Sequence, residues 1–237
     1  MRFCFCSWSG GKDCCLALFK AVQAGYSPRA LLTMCIETGG RSRSHGLSLE
    51  ILQAQAKSLG IPLVTQDSSW QNYRNNFISA LRTIKAQEPM ITTGIFGDID
   101  IDGHETWEQE VCKETGLETL LPLWKMERKT LLAELLTAGF KAIIVALNAE
   151  RLDPSFLGRV IDYNIIEELE KRGVDPCGEN GEFHTVVVAG PLFKTPLNLE
   201  KHGYPILRSG YWFQDFSLKI APTVANVARM ERSGIRD

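Results

Sequence analysis

Residues 2–13, RFCFCSWSGGKD, decide the predicted fold of this chain. The run begins with apolar residues that favour a short buried strand, and the apolar spacing after position 13 is that of a helix ending at Gly25. Two glycines in the turn between them let the backbone approach an anion closely, and a helix N-terminus favours phosphate. The stretch therefore predicts a strand, a phosphate-binding turn and a helix. The turn consists of Ser9, Gly10, Gly11, Lys12 and Asp13.

The alternation of strand and helix continues through the first half of the chain. Strands are predicted at residues 30–36, 61–65 and 90–96, and helices at residues 47–59 and 70–87. Strands that are apolar nearly throughout indicate a parallel sheet with helices on both faces, which is an α/β fold. Ligands of such sheets bind at the carboxyl ends of the strands, so the turn at residues 9–13 and the segment 94–98 are expected to share one site.

Beyond the proline at position 122 the pattern loosens, and we place the domain boundary there. Residues 1–121 are predicted to bind the nucleotide, residues 122–221 to form a smaller C-terminal α/β lobe that binds substrate, and residues 222–237 to fray. The elements predicted in the second lobe are helices at residues 127–138 and 156–173 and strands at residues 142–147, 184–189 and 211–220.

Composition and charge exclude several classes of protein. Of the 237 residues, 44% are hydrophobic and 23% are charged, which is typical of a globular protein. A net charge of -2 gives no strong signal for nucleic acid or for a membrane surface. The apolar runs are shorter than the roughly 20 residues that cross a bilayer, and no signal-peptide pattern is present, so we expect a cytoplasmic protein. The seven cysteines contain no C-x-x-C pair, so a structural zinc site lacks its ligand spacing.

The turn at residues 9–13 differs from two common phosphate-binding motifs. A G-x-x-x-x-G-K-[ST] loop would need a glycine in place of Cys6 and a hydroxyl in place of Asp13, and G-x-G-x-x-G is absent. The segment instead resembles the pyrophosphate loop S-G-G-x-D-S of the N-type ATP pyrophosphatases, with Cys14 in place of the last serine. These enzymes belong to the adenine nucleotide alpha hydrolase-like superfamily, so the resemblance implies a Rossmann-like fold that binds ATP.

A second segment, residues 177–185 (CGENGEFHT), narrows the resemblance. Taken alone, Asn180 and Gly181 indicate a plain hairpin turn. Glu182 and His184 lie two apart in a predicted strand and are expected to face one side, where a carboxylate beside an imidazole suits binding an amine, orienting a carboxylate or moving a proton. The segment looks like the C-terminal signature of the diphthine–ammonia ligases, and with the loop the resemblance covers roughly residues 3–220.

Residues 94–100 (GIFGDID) also look like a stretch of that family in which a glycine and an aspartate end a strand, here the fourth predicted strand. An aspartate there, Asp98, is a candidate to contact Mg²⁺ or substrate. Three aspartates spaced two apart from position 98 also match the start of an EF-hand loop, but Gln109 stands at its twelfth position and a strand precedes it. Calcium is therefore disfavoured, and a solvated acidic turn stays open.

In diphthine–ammonia ligases, ATP adenylates the carboxylate of diphthine, a modified histidine of elongation factor 2, and ammonia then displaces AMP. The resemblance therefore implies ATP, Mg²⁺ and ammonia as ligands and elongation factor 2 as partner, and it leaves a homodimer open. The implied catalytic residues are Lys12, Asp98, Glu182 and His184. The implied nucleotide-binding residues are Ser9, Gly10, Gly11, Lys12, Asp13 and Gly94. The residues implied for Mg²⁺ are Asp13 and Asp98. The residues implied for the acceptor are Glu179, Asn180, Glu182 and His184.

Several alternatives stay open at this stage. Residues 41–45 (RSRSH) look more like bacterial relatives, and their arginines suit either a solvated loop or capture of a phosphate or carboxylate. The acceptor could instead be another small metabolite or an RNA. Cys14 in the loop also motivates a nucleotide sensor without catalysis. Cys177 is expected to be a packed thiol rather than a nucleophile, because free ammonia requires no glutaminase thiol.

Overall fold

The structure, a computed structural model, describes residues 2–219. Its N-terminal half contains β1 (Arg2–Ser7), α1 (Lys12–Gln23), β2 (Tyr26–Cys35), α2 (Leu49–Leu59), β3 (Leu63–Asp67), α3 (Tyr73–Gln87), β4 (Ile91–Ile95), α4 (His104–Glu114) and β5 (Glu118–Leu120). The five strands form one sheet in the order β3-β2-β1-β4-β5, and every pairing is parallel. The predicted α/β fold class is confirmed.

Both faces of this sheet are covered, and β1 shows why its residues are apolar nearly throughout. Cys4 and Cys6 belong to the hydrophobic core that α1 and α2 form with the C-terminal half. Phe5 points to the other face, into the core formed with α3 and α4. Successive side chains of a strand point to opposite faces, so a strand buried on both sides needs apolar residues at every position.

The C-terminal half forms a second sheet, which is antiparallel. Its elements are α5 (Arg128–Thr137), β6 (Lys141–Asn148), a 3-10 turn (Pro154–Phe156), α6 (Tyr163–Lys171), β7 (Phe183–Ala189), β8 (Leu199–Arg208) and β9 (Tyr211–Leu218). The strand order is β7-β6-β9-β8. The predicted boundary at residue 122 falls between β5 and α5 and stays a prediction, while the tail at residues 222–237 lies outside the described residues. Within residues 2–219, no helix is long and apolar enough to cross a membrane.

The predicted helix at residues 156–173 is wrong over its first half. Gly158 has a φ of 84°, and the segment after it runs alongside β6, where Val160 forms an antiparallel bridge to Ile143. Ile161 donates a backbone hydrogen bond to the carbonyl of Ala142 at 2.8 Å. These bonds to β6 take the place of helical ones, so the helix begins only at Tyr163. Asp162 caps it, and its side chain accepts from the amide of Ile165.

The second sheet packs on the phosphate-binding turn itself, through the fully buried Gln55 of α2. The Gln55 amide donates to the carbonyl of Gly10 at 2.9 Å and to the carbonyl of Val187 in β7 at 2.7 Å. Its carbonyl oxygen accepts from the indole of Trp8 at 3.1 Å. The amide of Val187 also donates to the carbonyl of Gly10, at 2.9 Å. One side chain therefore links Trp8, directly after β1, to the turn and to β7.

We expect Gln55→Leu to lower the free energy of unfolding by about 2 to 4 kcal/mol, because it removes the hydrogen bonds that Gln55 makes to a buried indole and to two buried carbonyls. The measurement is urea unfolding of the full chain. Gln53→Leu is the matched control, since Gln53 lies on the same helix but is exposed, and its effect should stay within about 0.5 kcal/mol. Equal effects of the two substitutions would contradict the linking role of Gln55.

Candidate active site

A cavity of about 870 Å³ opens where the carboxyl ends of the parallel strands meet the start of β7. Six of the residues predicted from the sequence line its wall: Ser9, Lys12, Asp13, Asp98, Glu179 and His184. Five predicted residues do not line it: Gly10, Gly11, Gly94, Asn180 and Glu182. Both halves of the chain thus contribute side chains to one site, which joins residues more than 170 positions apart in the sequence.

Glycines allow other segments to pack closely against the phosphate-binding turn. Gly10 has a φ of 80°, a conformation that favours glycine, and a Cβ at Gly11 would clash with the imidazole of His45. Gly97, after β4, packs against the start of α1, where a Cβ would lie 2.7 Å from the amide nitrogen of Cys14. These close approaches bring the end of β4 and the residues near position 45 to the N-terminus of α1.

Gly94 packs inside the sheet, and its predicted contact with the nucleotide stays a prediction. A Cβ at this position would lie 2.7 Å from the ring of Phe5 and 3.0 Å from the sulfur of Cys112. Gly94 therefore makes room for packing inside the sheet and does not face the cavity. The glycine of this segment that lines the cavity is Gly97.

Lys12 and Asp13 form an ion pair at the N-terminus of α1. The Lys12 Nζ lies 2.9 Å and 2.7 Å from the two carboxylate oxygens of Asp13, and Lys12 is only 3% exposed. Burial opposes the charge, but the neighbouring Asp13 outweighs it and raises the pKa of Lys12, so the ammonium group stays charged. The amide of Lys12 donates to the hydroxyl of Thr185 in β7 at 3.1 Å.

The sulfur of Cys14 makes hydrogen bonds to the phosphate-binding turn. The Ser9 hydroxyl donates to the Cys14 Sγ at 3.4 Å, and the thiol donates to the carbonyl of Gly11 at 3.3 Å. Burial works to raise the pKa of Cys14, but hydrogen bonds from Cys15 and from the turn at Ser9 and Gly10 lower it overall. The sulfur therefore accepts hydrogen bonds from residues of the phosphate-binding turn.

His184 lies between two rings at the start of β7. His45 packs on it with ring centroids 4.7 Å apart, and Tyr211 stacks on it at 6.1 Å. His45 Nδ1 lies 2.8 Å from the carbonyl oxygen of Thr185. Burial, followed by the neighbouring His45 and Lys12, lowers the pKa of His184 to about 3, and burial lowers that of His45 to about 4. Both imidazoles are neutral at physiological pH, and His184 is a weak base unless nearby negative charge raises its pKa.

The turn at residues 178–182 contributes one acidic side chain to the cavity. Glu179 accepts from the amide of Ile99 at 3.3 Å, and burial, with the negative charge of Asp13, raises its pKa to about 7. Glu182 is instead buried behind the wall, where its carboxylate accepts from the amide of Asn180 at 3.0 Å. Glu182 directly precedes β7, which begins at Phe183, and it does not line the cavity as His184 does. Their predicted contact with the acceptor stays a prediction.

Asp98 lies in an acidic pair on the opposite wall. His104 Nδ1 is 2.6 Å from the Asp98 carboxylate. Burial raises the pKa of Glu108 to about 11, with a further contribution from its hydrogen bond to Asp98. Burial would also raise the pKa of Asp98, but hydrogen bonds from His104 and Glu108 lower it overall. Asp98 is therefore ionised and Glu108 protonated, and the pair carries one negative charge.

Several lining residues could not be predicted from the sequence. Glu108 lies on α4, which was not predicted, and its distance from Asp98 in the chain gives no motif. His45 and Arg43 belong to residues 41–45, which the sequence left open as a solvated loop or as a site for a phosphate or carboxylate. Both residues line the cavity. Arg41 of that segment does not: it binds the carboxylate of Asp215 at 2.7 and 2.8 Å.

Two further observations concern a thiol nucleophile and a metal site. Cys177 is 1% exposed and does not line the cavity, and burial raises its pKa to about 12, as a packed thiol requires. Within residues 2–219, no group of three or more His, Cys, Asp or Glu side chains is arranged to hold a metal ion.

The fold and the turn define the class of the protein: an α/β protein with a pyrophosphate loop at the end of its first strand. The sequence model of the diphthamide synthase N-terminal domain matches residues 3–119, and that of the diphthamide synthase C-terminal domain matches residues 127–219. The chain belongs to the diphthamide synthase family. This confirms the family resemblance, and with it the class of enzyme, predicted from the loop and from residues 177–185.

The chain is similar along most of its length to proteins named diphthine–ammonia ligase. It is 27% identical to that of Danio rerio, over 81% of this chain and 84% of the relative, and 27% identical to that of Homo sapiens, over 78% of each. The match to the Schizosaccharomyces pombe relative, at 25% identity, covers 78% of this chain but 34% of the relative. The chain thus spans only about a third of that protein.

Among solved structures, a predicted subunit of tRNA methyltransferase from Methanocaldococcus jannaschii aligns with 80% of this chain and 98% of its own, at a TM-score of 0.45 and 19% identity. This likeness is too low to bear on function.

We expect Glu179→Gln to stabilise the protein at pH 8 but not at pH 5. A carboxyl whose folded pKa is about 7, above its usual 4.5, contributes stability below pH 4.5 that is lost as the pH rises through 7. Because Glu179 is partly exposed, we expect a rise in Tm at pH 8 of only about 2 to 4 °C. Glu88→Gln, at an exposed glutamate, should leave both melting temperatures unchanged. A gain of the same size at both pH values would refute the raised pKa.

Proposed function

We propose that this chain is an ATP-dependent ligase that adenylates a carboxylate and then amidates it with ammonia, and that the acceptor is diphthine on elongation factor 2, as the names of its relatives indicate. The single observation that carries this proposal is the shared cavity. It places the charged Lys12 at a helix N-terminus together with the neutral His184 of the second sheet. An anion site and a proton acceptor are the two groups that the two half-reactions need. We propose that the reaction takes place in the cytoplasm.

ATP is held by its phosphates at the start of α1. The positive end of the helix and the ammonium of Lys12 attract them, and the Ser9 hydroxyl lies at the cavity wall to contact them. Mg²⁺ fits as a companion of the phosphates, because it is commonly bound through one or two carboxylates together with phosphate oxygens. Asp13 and Asp98 both line the cavity and would hold it, where the ion would neutralise charge on the pyrophosphate.

A carboxylate is a poor electrophile because its charge repels nucleophiles. In the first step an oxygen of the acceptor carboxylate attacks the α-phosphorus, and the bond from that phosphorus to pyrophosphate breaks. Lys12 stabilises the negative charge that develops on the departing pyrophosphate. In the second step ammonia attacks the acyl carbon, AMP leaves with the electron pair, and the nitrogen loses a proton.

His184 is the residue placed to take that proton. Its imidazole is neutral, it lines the cavity, and no hydrogen bond within residues 2–219 engages its ring nitrogens. His45 and Tyr211 hold the ring from its two sides. The phosphates of bound ATP raise the pKa of this histidine, which makes it a stronger base when the reaction requires one.

The test is product analysis by anion-exchange chromatography. The full chain is incubated with Mg-ATP and ammonium, with and without diphthine-bearing elongation factor 2, and we expect AMP and pyrophosphate only when the factor is present. His184→Asn should lower the rate of amide formation by about 100-fold or more. His202→Asn is the control, because this histidine is exposed on β8.

Two outcomes of that test would contradict the proposal. ATP binding without release of AMP, whatever the acceptor, would indicate a nucleotide sensor. Release of AMP that depends on another metabolite or on an RNA, and not on the factor, would leave the adenylation standing and overturn diphthine as the acceptor.

We expect Lys12→Met to weaken ATP binding at least about tenfold, because hydrogen bonds to charged groups contribute roughly 1.5 to 3 kcal/mol. The measurement is isothermal titration calorimetry with ATP. Lys20→Met is the matched control, since Lys20 lies on the same helix but pairs with Glu134 at 2.5 Å, away from the cavity. An unchanged affinity of Lys12→Met for ATP would remove Lys12 from the phosphate site.

A further inference from the structure

The hairpin that joins β8 to β9 reaches the rim of the cavity. Tyr211, the first residue of β9, lines the cavity, and its hydroxyl donates to the carbonyl of Gly181 at 2.8 Å. Gly210, in the hairpin turn, accepts from the amide of Ala149 at 2.9 Å. These two hydrogen bonds fix the end of the hairpin beside the cavity. We call residues 203–210 the hairpin arm.

A β-bulge in the hairpin arm presents Tyr204 to solvent. The register of β8 against β9 shifts between His202 and Ile206, and Gly203 has a φ of 66° there. Gln214 of β9 is buried beneath the bulge, and its side-chain amide donates to the carbonyls of His202 at 3.1 Å and of Gly203 at 3.3 Å. Bulges commonly re-aim a side chain, and this one is held by a buried amide. Tyr204 is 91% exposed on it.

The next residues of the hairpin arm continue the cavity wall outward. Arg208 lies opposite Tyr211 in the antiparallel pair, so the two side chains point to the same face of the sheet. Ile206 lies two residues before Arg208 on the same strand and points to that face as well. Both side chains are exposed, Ile206 by 45%. The face that lines the cavity at Tyr211 therefore extends beyond it as an exposed surface with apolar and positively charged side chains.

The hairpin arm is poorly suited to pair with a further strand. β8 stands at the end of the strand order, so among the described residues no strand pairs with its outer side. Pro205 lies in this strand and has no N–H to donate, and the bulge interrupts the regular spacing of the backbone groups. Extension of the sheet by a peptide or by a second copy of β8 is therefore disfavoured. Binding at the hairpin arm has to use side chains.

Exposed apolar patches mark interaction sites, and tyrosine and arginine are the residue types enriched where protein interfaces bind most strongly. On the proposed function a folded protein carries the acceptor side chain, and the body of that protein must cover the rim while the side chain enters the cavity. We propose that the hairpin arm docks this protein through Tyr204, Ile206 and Arg208, against an apolar surface with a carboxylate that faces Arg208. The inference rests on the proposed function, which makes the partner elongation factor 2.

The test separates binding of the factor from binding of ATP. Affinity of the full chain for diphthine-bearing elongation factor 2 is measured by biolayer interferometry, and affinity for ATP by isothermal titration calorimetry. The double variant Tyr204→Ser, Ile206→Thr should bind the factor at least about tenfold more weakly, because it removes the apolar contact surface. Its affinity for ATP should be unchanged. In turnover, KM for the factor should rise by a similar ratio while kcat stays the same.

Arg208→Gln tests the charged contact. It should weaken binding of the factor about threefold and lower the dependence of the association rate on salt concentration, because a charge at the rim of an interface acts mainly on the encounter. Tyr163→Ser with Val160→Thr is the matched control for the double variant, and Arg82→Gln is the control for Arg208, since all three residues are exposed outside the hairpin arm. Both controls should bind the factor as the unmodified chain does. Thermal melting checks that each variant is folded.

The outcomes distinguish a failure of this inference from a failure of the proposed function. Unchanged affinity of the double variant for the factor would overturn the docking surface and leave the proposed reaction standing. Arm-dependent binding without release of AMP would support the docking surface and overturn the reaction. A factor that does not bind the unmodified chain would overturn both. Sedimentation velocity covers the remaining occupant: a dimer that the double variant loses, with binding of the factor unchanged, would assign the hairpin arm to a second copy of this chain.

Discussion

The carbonyl oxygen of Gly10 accepts two hydrogen bonds, from the amide of Val187 at 2.9 Å and from the side chain of Gln55 at 2.9 Å. Each donor comes from a different part of the chain, one from the second sheet and one from α2. A backbone carbonyl buried at this junction must be satisfied, so these two hydrogen bonds favour the observed position of β7 against the turn. That position brings Thr185 to the amide of Lys12 and sets His184 beside His45. The cavity exists as a single site because of this junction.

Burial then determines the charge state of the site. Lys12 keeps its charge because Asp13 lies within 2.9 Å of it, and Asp98 keeps its charge because His104 and Glu108 donate to it. Groups without such a partner shift toward the neutral form: burial lowers the pKa of His184 to about 3 and raises that of Glu179 to about 7. Burial of an ion costs free energy unless the ion is paired, and the protonation states of the lining residues agree with this rule. The cavity is therefore lined by charges that have partners, such as those of Lys12 and Asp98, and by the neutral imidazole of His184.

The sequence predicts the parts of this site that depend on local pattern. The glycine turn and the apolar strands of the first sheet are visible because burial on both faces leaves few polar residues in them. The helix α4 was not predicted because only Glu108, Val111 and Cys112 of its eleven residues are buried. β8 has almost no buried residue and contains Pro205, so no alternating pattern marks it. β5 is only three residues long.

The functions of Gly94, Glu182 and Glu108 could not be predicted for a different reason. Each depends on what lies across space: a phenylalanine over Gly94, a turn amide beside Glu182, and an aspartate against Glu108. A motif records residue type and spacing, whereas a pKa or a packing role depends on the neighbours that the fold supplies. For the same reason the spacing of Glu182 and His184 could not show that only His184 lines the cavity.

The proposed function implies that ATP binding is coupled to the protonation states of the residues that line the cavity. Burial is the main cause of the pKa values of His184, about 3, and of Glu179, about 7. The negative phosphates of ATP favour the protonated form of any group near them, so both pKa values rise when ATP binds. For His184 this makes the imidazole a stronger base, and for Glu179 it keeps the carboxyl neutral beside the phosphates. ATP would therefore prepare the base for the amidation step before ammonia reacts, and no movement of the fold would be needed.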